Sequence, residues 1–546
     1  MKFRSFGVVP EENKTDERVV RGLKERFRNE SVLLYYKPLI HLDGENFIPD
    51  VMLLHPKVGI TLITIKEWDA QFLKRVIWGA DGSLLVNGHR FKNPIDEMGK
   101  LVAKLALTFK YRYPINTFVY FPNITKNEFE GLYNVQGRFR DVLLKWDTEV
   151  KEKILRAAGA DRFEEVEEED FKELRETLFP YLQLGKGAVL DLNQEEIIHN
   201  FQRGLRIIRG LAGTGKTAVL AAKARYEMLK GRRVIFLTST TSLLQEFKMR
   251  VGEEVKAYTL HGYFQSLDPD YRPHKLEEMA QKVAKDPEIE QFDFVIGDEV
   301  QDFPAPFFPV LDRLLKPDGK MLLGVDETQR VYQWCDWTWK EVGIDAQGKV
   351  TIFKKIYRNP SKIMRFGVEF LKLDRTLIRH LKELSAVDLF EENAPTAVRE
   401  GGKIICVSEN VINRFVKIYD PKETFILVPS LADIEYYRER LEREGIKVIA
   451  FSRDIDLERV PADTYLITTF FSAKGMERKN VIILLNQDRI TISSRKDEHR
   501  WRRTIYVAIT RATENIVIWG KGRFFDELLE VKQKLDEEIL SKKDKR

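Results

Sequence analysis

The stretch RIIRGLAGTGKT, residues 206–217, constrains the fold more than any other part of the chain. An apolar run leads into it, glycines at 210, 213 and 215 break it, and Lys216 and Thr217 end it. AVLAAKARYEML then follows with helical spacing of its apolar residues. A G-x-x-x-x-G-K-[ST] pattern between a strand and a helix is a phosphate-cradling loop. Gly210, Gly213 and Gly215, with Thr214 among them, let backbone N–H groups close around phosphates while the helix N-terminus faces the negative charge. Lys216 would contact the β- and γ-phosphates of a nucleotide such as ATP, and Thr217 would hold Mg²⁺.

The surroundings of the loop agree with an α/β fold. From about residue 188 the apolar runs VIFLTS, FDFVIGDE, MLLGVDE, TFILVPS, TYLITTF and VIILLN alternate with helical patterns, as expected of central parallel strands buried on both faces. FDFVIGDEVQD, residues 292–302, is such a strand ending in Asp298 and Glu299. An aspartate there is placed to be an outer carboxylate for Mg²⁺, and the adjacent glutamate to orient and deprotonate an attacking water.

The whole chain, at 546 residues, has room for roughly three or four domains. Residues 1–150 mix short β-type runs with helical ones and form one expected domain. The acidic stretch DRFEEVEEEDFKELRE, residues 161–176, reads as a solvated helix or connector, which sets an expected linker at 151–187. A first lobe is expected at 188–345 with a short insertion near 265–291, a second at 346–530, and a charged tail at 531–546. The composition, 43% hydrophobic, excludes a disordered chain. A net charge of +5 permits local nucleic-acid-binding patches without requiring them. Cys335 and Cys406 lack metal-ligand spacing. No apolar run is long enough to span a bilayer, and MKFRSFGVVPEENKTDE lacks a secretory core, so a soluble, cytoplasmic protein without a membrane partner is expected.

DEVQD resembles the Walker B motif of superfamily 1 helicases of the UvrD/Rep type, and the family's other signatures follow in order over residues 188–520. LNQEE resembles the glutamine motif and implies Gln194 at the adenine edge. TLHGYF resembles a DNA-contact segment, GVDETQRVYQW the segment that puts Gln329 near the γ-phosphate, and YRNP the pair in which Tyr357 stacks on adenine and Arg358 reaches the γ-phosphate. TTFFSAKGMERKNVIIL is similar to the T-x-H-x-x-K-G-x-E motif, which implies Gly475 and Glu477 at the nucleotide, and YVAITRA implies Arg511 as arginine finger. The same resemblance implies Thr238, Thr259, His261, Tyr332, Trp334 and Thr469 on the nucleic-acid side. Departures are Ser239 at an aromatic position, Phe471 at the histidine of the K-G-x-E motif, and Ile356 before Tyr357. Large accessory insertions of the family are reduced to about 265–291 and to almost nothing after residue 454. The implied architecture is two RecA-like lobes, and the implied activity is ATP- and Mg²⁺-dependent movement, 3′ to 5′, on single-stranded DNA. A setting among DNA-repair, mobile-element replication or defence proteins is compatible with it.

The N-terminal zone carries a second resemblance. TDERVVRGLKERF has helical spacing, with Thr15 or Asp16 as a possible cap. DVMLLHPKVGITLITIKEW reads as two strands joined at 55–59. This order, with "NP" at 93–94, is similar to the nuclease-related (NERD) branch of the PD-(D/E)xK fold over residues 10–125. The resemblance implies Glu17, Asp50 and Lys66 as site residues. The second carboxylate of such a site falls at Thr64, on the same strand face as Lys66. Two readings stay open: cleavage using Asp50, Glu17 and a migrated acid such as Glu45, or a degenerate site in a binding module. For the whole chain the alternatives to a motor are an ATP-coupled nuclease and an ATP-gated binding switch that does not travel.

Overall fold

The computed structural model describes residues 3–135, 138–139, 141–145, 147–157, 168–185, 188–201, 204–332, 337–385, 394–407, 416–451, 460–486 and 490–543. Two compact units divide the chain, residues 1–202 and 203–546. Among the described residues no helix is long and apolar enough to cross a membrane.

The N-terminal unit is built on a mixed sheet in the order Arg4–Phe6, Leu33–Tyr36, Val51–His55, Gly59–Ile65, Ile115–Phe121, Val142–Leu144. Val51–His55 and Gly59–Ile65 form an antiparallel hairpin. Gly59 turns it at φ +67°, and a Cβ there would lie 2.5 Å from the Pro114 carbonyl oxygen, so the position requires glycine. Helix Lys14–Phe27 buries Val19, Val20, Leu23 and Phe27 in the same core as Val51, Leu53 and Ile63. Asn13 caps it, accepting from the Asp16 N–H, one turn ahead of the caps the spacing suggests.

The stretch expected to be a linker is part of this unit. Val150 and Ile154, on helix Val150–Ala157, join the core, and helix Glu168–Leu178 buries Phe171, Leu174 and Leu178. The unit continues through helix Leu192–Asn200, which falls on its side of the division at residue 202. A buried charge ties helix Leu192–Asn200 to helix Glu168–Leu178 and to the sheet. Glu195 is 0% exposed, and its carboxylate accepts from Arg175 Nε at 2.7 Å and from the Tyr35 hydroxyl at 2.9 Å. Burial pushes the Glu195 carboxyl up, but Arg175 and His199 outweigh it and hold the group below its ordinary range. A depressed carboxyl contributes stability above its unfolded value and loses it as pH falls through the folded value. Arg175→Met removes the largest compensating charge and is expected to cost the unit about 3–5 kcal/mol, read as a lowered urea midpoint.

The C-terminal unit has two all-parallel sheets. The first runs Lys256–Thr259, Val234–Thr238, Phe292–Asp298, Leu315–Val325, Gly204–Gly210, Val350–Phe353. The second runs Lys403–Val407, Ala512–Lys521, Arg478–Asn486, Thr424–Val428, Thr464–Thr469, Lys447–Ala450. Val234–Thr238, Thr424–Val428 and Thr464–Thr469 are buried at every position, as helices on both faces require. Val350–Phe353 pairs with Gly204–Gly210, so the first lobe extends past the expected limit at 345. In the short insertion, helix Leu276–Lys285 buries Met279, Ala280 and Val283 in the first core. The expected tail is largely helix as well: Arg523–Lys543 is continuous, and Val531 and Leu535 are buried in the second core.

Candidate active site

The first sheet brings its chemistry to one edge. Strands end at Gly210, Thr238, Thr259, Asp298 and Val325, and Thr238 stands in register with both Thr259 and Asp298. Ligands of parallel sheets gather at such carboxyl ends. Gly213 and Gly215 adopt φ +76° and +84°. A Cβ on Gly213 would lie 2.7 Å from Arg358 Cβ, and the Gly213 carbonyl accepts the Tyr357 N–H at 2.9 Å. The loop's glycine therefore also seats the tyrosine–arginine segment.

Lys216 folds over its own loop, donating to the Gly210 carbonyl at 2.8 Å and lying 3.8 Å from Asp326 Oδ2. Thr217 Oγ1 donates to Asp298 Oδ2 at 2.6 Å. This hydroxyl–carboxylate pair, wholly oxygen, fits the donor chemistry of Mg²⁺. Burial, and then the neighbouring Glu299, push the Asp298 carboxyl up. Glu299 occupies the left-handed region at φ +54°, unusual for a residue with a side chain and a mark of functional sites. Burial pushes its carboxyl up, but Lys474 and Lys216 outweigh this and hold it well below the ordinary range. Glu299 is thus an anion at neutral pH, as a proton acceptor must be.

The second lobe supplies the opposing charge. Arg511 is 1% exposed and donates to Gln329 Oε1 at 3.3 Å, to the Val507 carbonyl at 3.0 Å and to the Met476 carbonyl at 3.2 Å. Burial and the nearby Arg358 lower its pKa to about 10, which leaves it cationic at neutral pH. Gln329 Nε2 donates to Asp326 Oδ2 at 2.6 Å, and Arg358 pairs with Glu477. Gly213, Gly215, Lys216, Thr217, Glu299, Gln329, Tyr357, Arg358, Gly475, Glu477 and Arg511 together line one cleft of about 460 Å³, a size suited to a nucleotide. Residues expected from distant segments thus converge. Gln194 belongs to the N-terminal unit, where it closes a capping box with Asp191. The sequence reading missed Gln301, Asp302, Asp326 and Lys474. Gln301 donates to Glu299 and accepts the Asp326 N–H, so it ties the two acidic strand ends together. All four lie inside stretches already quoted, DEVQD, GVDETQ and FSAKGMER, where the neighbouring matches drew attention away from them.

Among the expected strand-contact residues, Thr238 is buried, Thr259 caps helix Leu260–Leu267, and exposed His261 lies 2.7 Å from the Tyr271 hydroxyl. Thr469 ends its strand in the second lobe and donates to Ser472. Tyr332 faces Phe471 with ring centroids 6.5 Å apart, and Phe471 in turn meets Trp501. The substitution at 471 therefore builds an aromatic row. Trp334 lies outside the described residues.

In the N-terminal unit Asp50 Oδ2 accepts the Ile65 N–H at 2.8 Å, which sets Asp50 beside the end of the strand that carries Thr64 and leads to Lys66. Burial pushes its carboxyl up. The helix acid near it is Asp16 and not Glu17. Asp16 is buried, accepts from the Tyr36 hydroxyl at 2.7 Å and lies 3.4 Å from Lys37 Nζ, whereas Glu17 is exposed. Thr64 is buried, and Glu45 is engaged by Lys100 and Lys104 at 2.8 and 3.1 Å. Glu17, Asp50 and Glu45 are therefore not brought together, and among the described residues no group of at least three His, Cys, Asp or Glu could hold a metal ion.

The site defines its class: a P-loop NTPase, with cradle, acidic strand end and opposing arginines around a single cleft. Within that class, a family model described as an AAA domain matches residues 194–334, so this part of the chain is similar to that domain. No curated protein matches the chain.

Proposed function

We propose that the chain is an ATP- and Mg²⁺-dependent superfamily 1 motor that moves 3′ to 5′ along single-stranded DNA, with a nuclease-shaped N-terminal unit that does not cut. The observation that carries this reading is the arrival of Arg511 and Arg358 at a phosphate loop that belongs to the other lobe. Phosphates bind against the loop amides and Lys216. Thr217 and Asp298 would hold Mg²⁺, which would supply neutralisation of phosphate charge. Glu299 takes a proton from the attacking water as the bond from the γ-phosphorus to the β–γ bridging oxygen breaks, leaving ADP and phosphate. Arg511 and Arg358 offset the γ-phosphoryl charge only while the lobes are together. Release lets the lobes part, and strand contacts on Thr259 and His261 of one lobe and Thr469 of the other advance by turns. The test is steady-state phosphate release with and without single-stranded DNA. The motor reading requires the strand to raise the rate, and a rate indifferent to it counts against the reading.

The nuclease half is tested separately. Labelled DNA incubated with the wild type in Mg²⁺ or Mn²⁺ is expected to stay intact on a gel. Thr64→Glu is expected to yield cleavage, and Thr64→Glu with Asp50→Ala to lose it again, because the missing element is one carboxylate beside Asp50 and Lys66.

A further inference from the structure

Lys474, which helps to hold the Glu299 carboxyl low, has no role in the proposed reaction, yet it is 1% exposed beside that carboxylate. It comes from the second lobe, in the turn after Thr464–Thr469, and its ammonium spends its protons on the first lobe. The partners are Glu299 Oε2 at 3.0 Å, the Asp302 carboxylate, and the Gln329 carbonyl at 3.0 Å. The backbone is tied to the same lobe, since the Lys474 carbonyl accepts from Ser242 Oγ at 3.3 Å. Gly475 makes that approach possible: it sits at φ +85°, and a Cβ there would meet Ser242 Oγ at 3.0 Å. Without the ammonium, Glu299 and Asp302 would be like charges facing each other in a buried site that already contains Asp298 and Asp326.

We infer that Lys474 is a positioning residue for Glu299, completing from the second lobe the hold that Gln301 gives from the first, so that the water-activating carboxylate is fully fixed while the second lobe is closed on the first. The inference rests on the motor reading above and deepens it. Closure then does two separate things. Arg511 brings charge to the phosphate, and Lys474 fixes the proton acceptor. A nucleotide bound to parted lobes would meet a cradle and a base held by Gln301 alone, which slows hydrolysis without a productive closure.

The test uses the full chain with Lys474→Met, Lys474→Arg and the double variant Lys474→Met/Asp302→Leu. Steady-state kcat and KM for ATP are measured, with the affinity for a non-hydrolysable ATP analogue. Lys474→Met is expected to lower kcat by about 100-fold, in the range of a lost general base, while KM and analogue affinity move less than about 3-fold. Lys474→Arg keeps the charge and is expected to recover about 10-fold of the loss. The double variant replaces the buried pair with apolar groups, which folded proteins tolerate well, and is expected to stay inactive although folded. Retained kcat in Lys474→Met or in the double variant overturns the inference. So does a loss of kcat matched by an equal loss of analogue binding and not rescued by arginine. A wild type with no ATP turnover overturns the motor reading instead, and the inference with it.

Discussion

Lys216→Ala is expected to lower ATP turnover by about 10²–10³-fold or more, the cost of removing one preorganised charge from a developing anion. The ammonium is buried within the loop and 3.8 Å from Asp326, so its loss removes a cation from a site that already holds Asp298, Glu299 and Asp326. Lys474 cannot replace it, because it is committed to Glu299, Asp302 and Gln329. Phosphate release at saturating ATP is the measurement. Retained hydrolysis would show that the nucleotide is handled elsewhere.

Arg511→Ala is expected to have a still larger effect, about 10³–10⁵-fold on kcat, with KM for ATP changed far less. The side chain arrives from the second lobe and is fixed by the Val507, Met476 and Gln329 oxygens, so it is held before any nucleotide arrives. Preorganisation of this kind acts on the transition state more than on binding. Arg511→Lys should restore little, because an ammonium cannot reproduce the planar set of donors that reaches those oxygens. Single-turnover hydrolysis separates the effect from product release.

The nucleotide site was legible because its signals are local. A glycine-rich turn, an acidic strand end and an arginine within a few residues of a motif can each be read without knowing what packs on them. Boundaries were less legible, because they depend on distant partners. Glu195 is buried by Arg175 and Tyr35, and that contact, which no local pattern shows, ties helix Leu192–Asn200 into the N-terminal unit. Val350–Phe353 looks like the start of a second lobe until its pairing with Gly204–Gly210 is known. Asp16 was within reach: it continues the stripe of Val19, Val20, Leu23 and Phe27 at helical spacing, whereas Glu17 leaves it. The role of Lys474 was not, since no spacing within one segment shows that a lysine will meet two carboxylates on the other lobe.

The proposed motor couples hydrolysis to movement along the strand, where a binding switch would use it to reset a bound state. The direct measurement is ATP consumed per binding event on single strands of increasing length, with a trap preventing rebinding. A motor predicts consumption that rises in proportion to strand length. Consumption that stays constant from the shortest strand to the longest would contradict the account and leave a nucleotide-gated binding switch in its place.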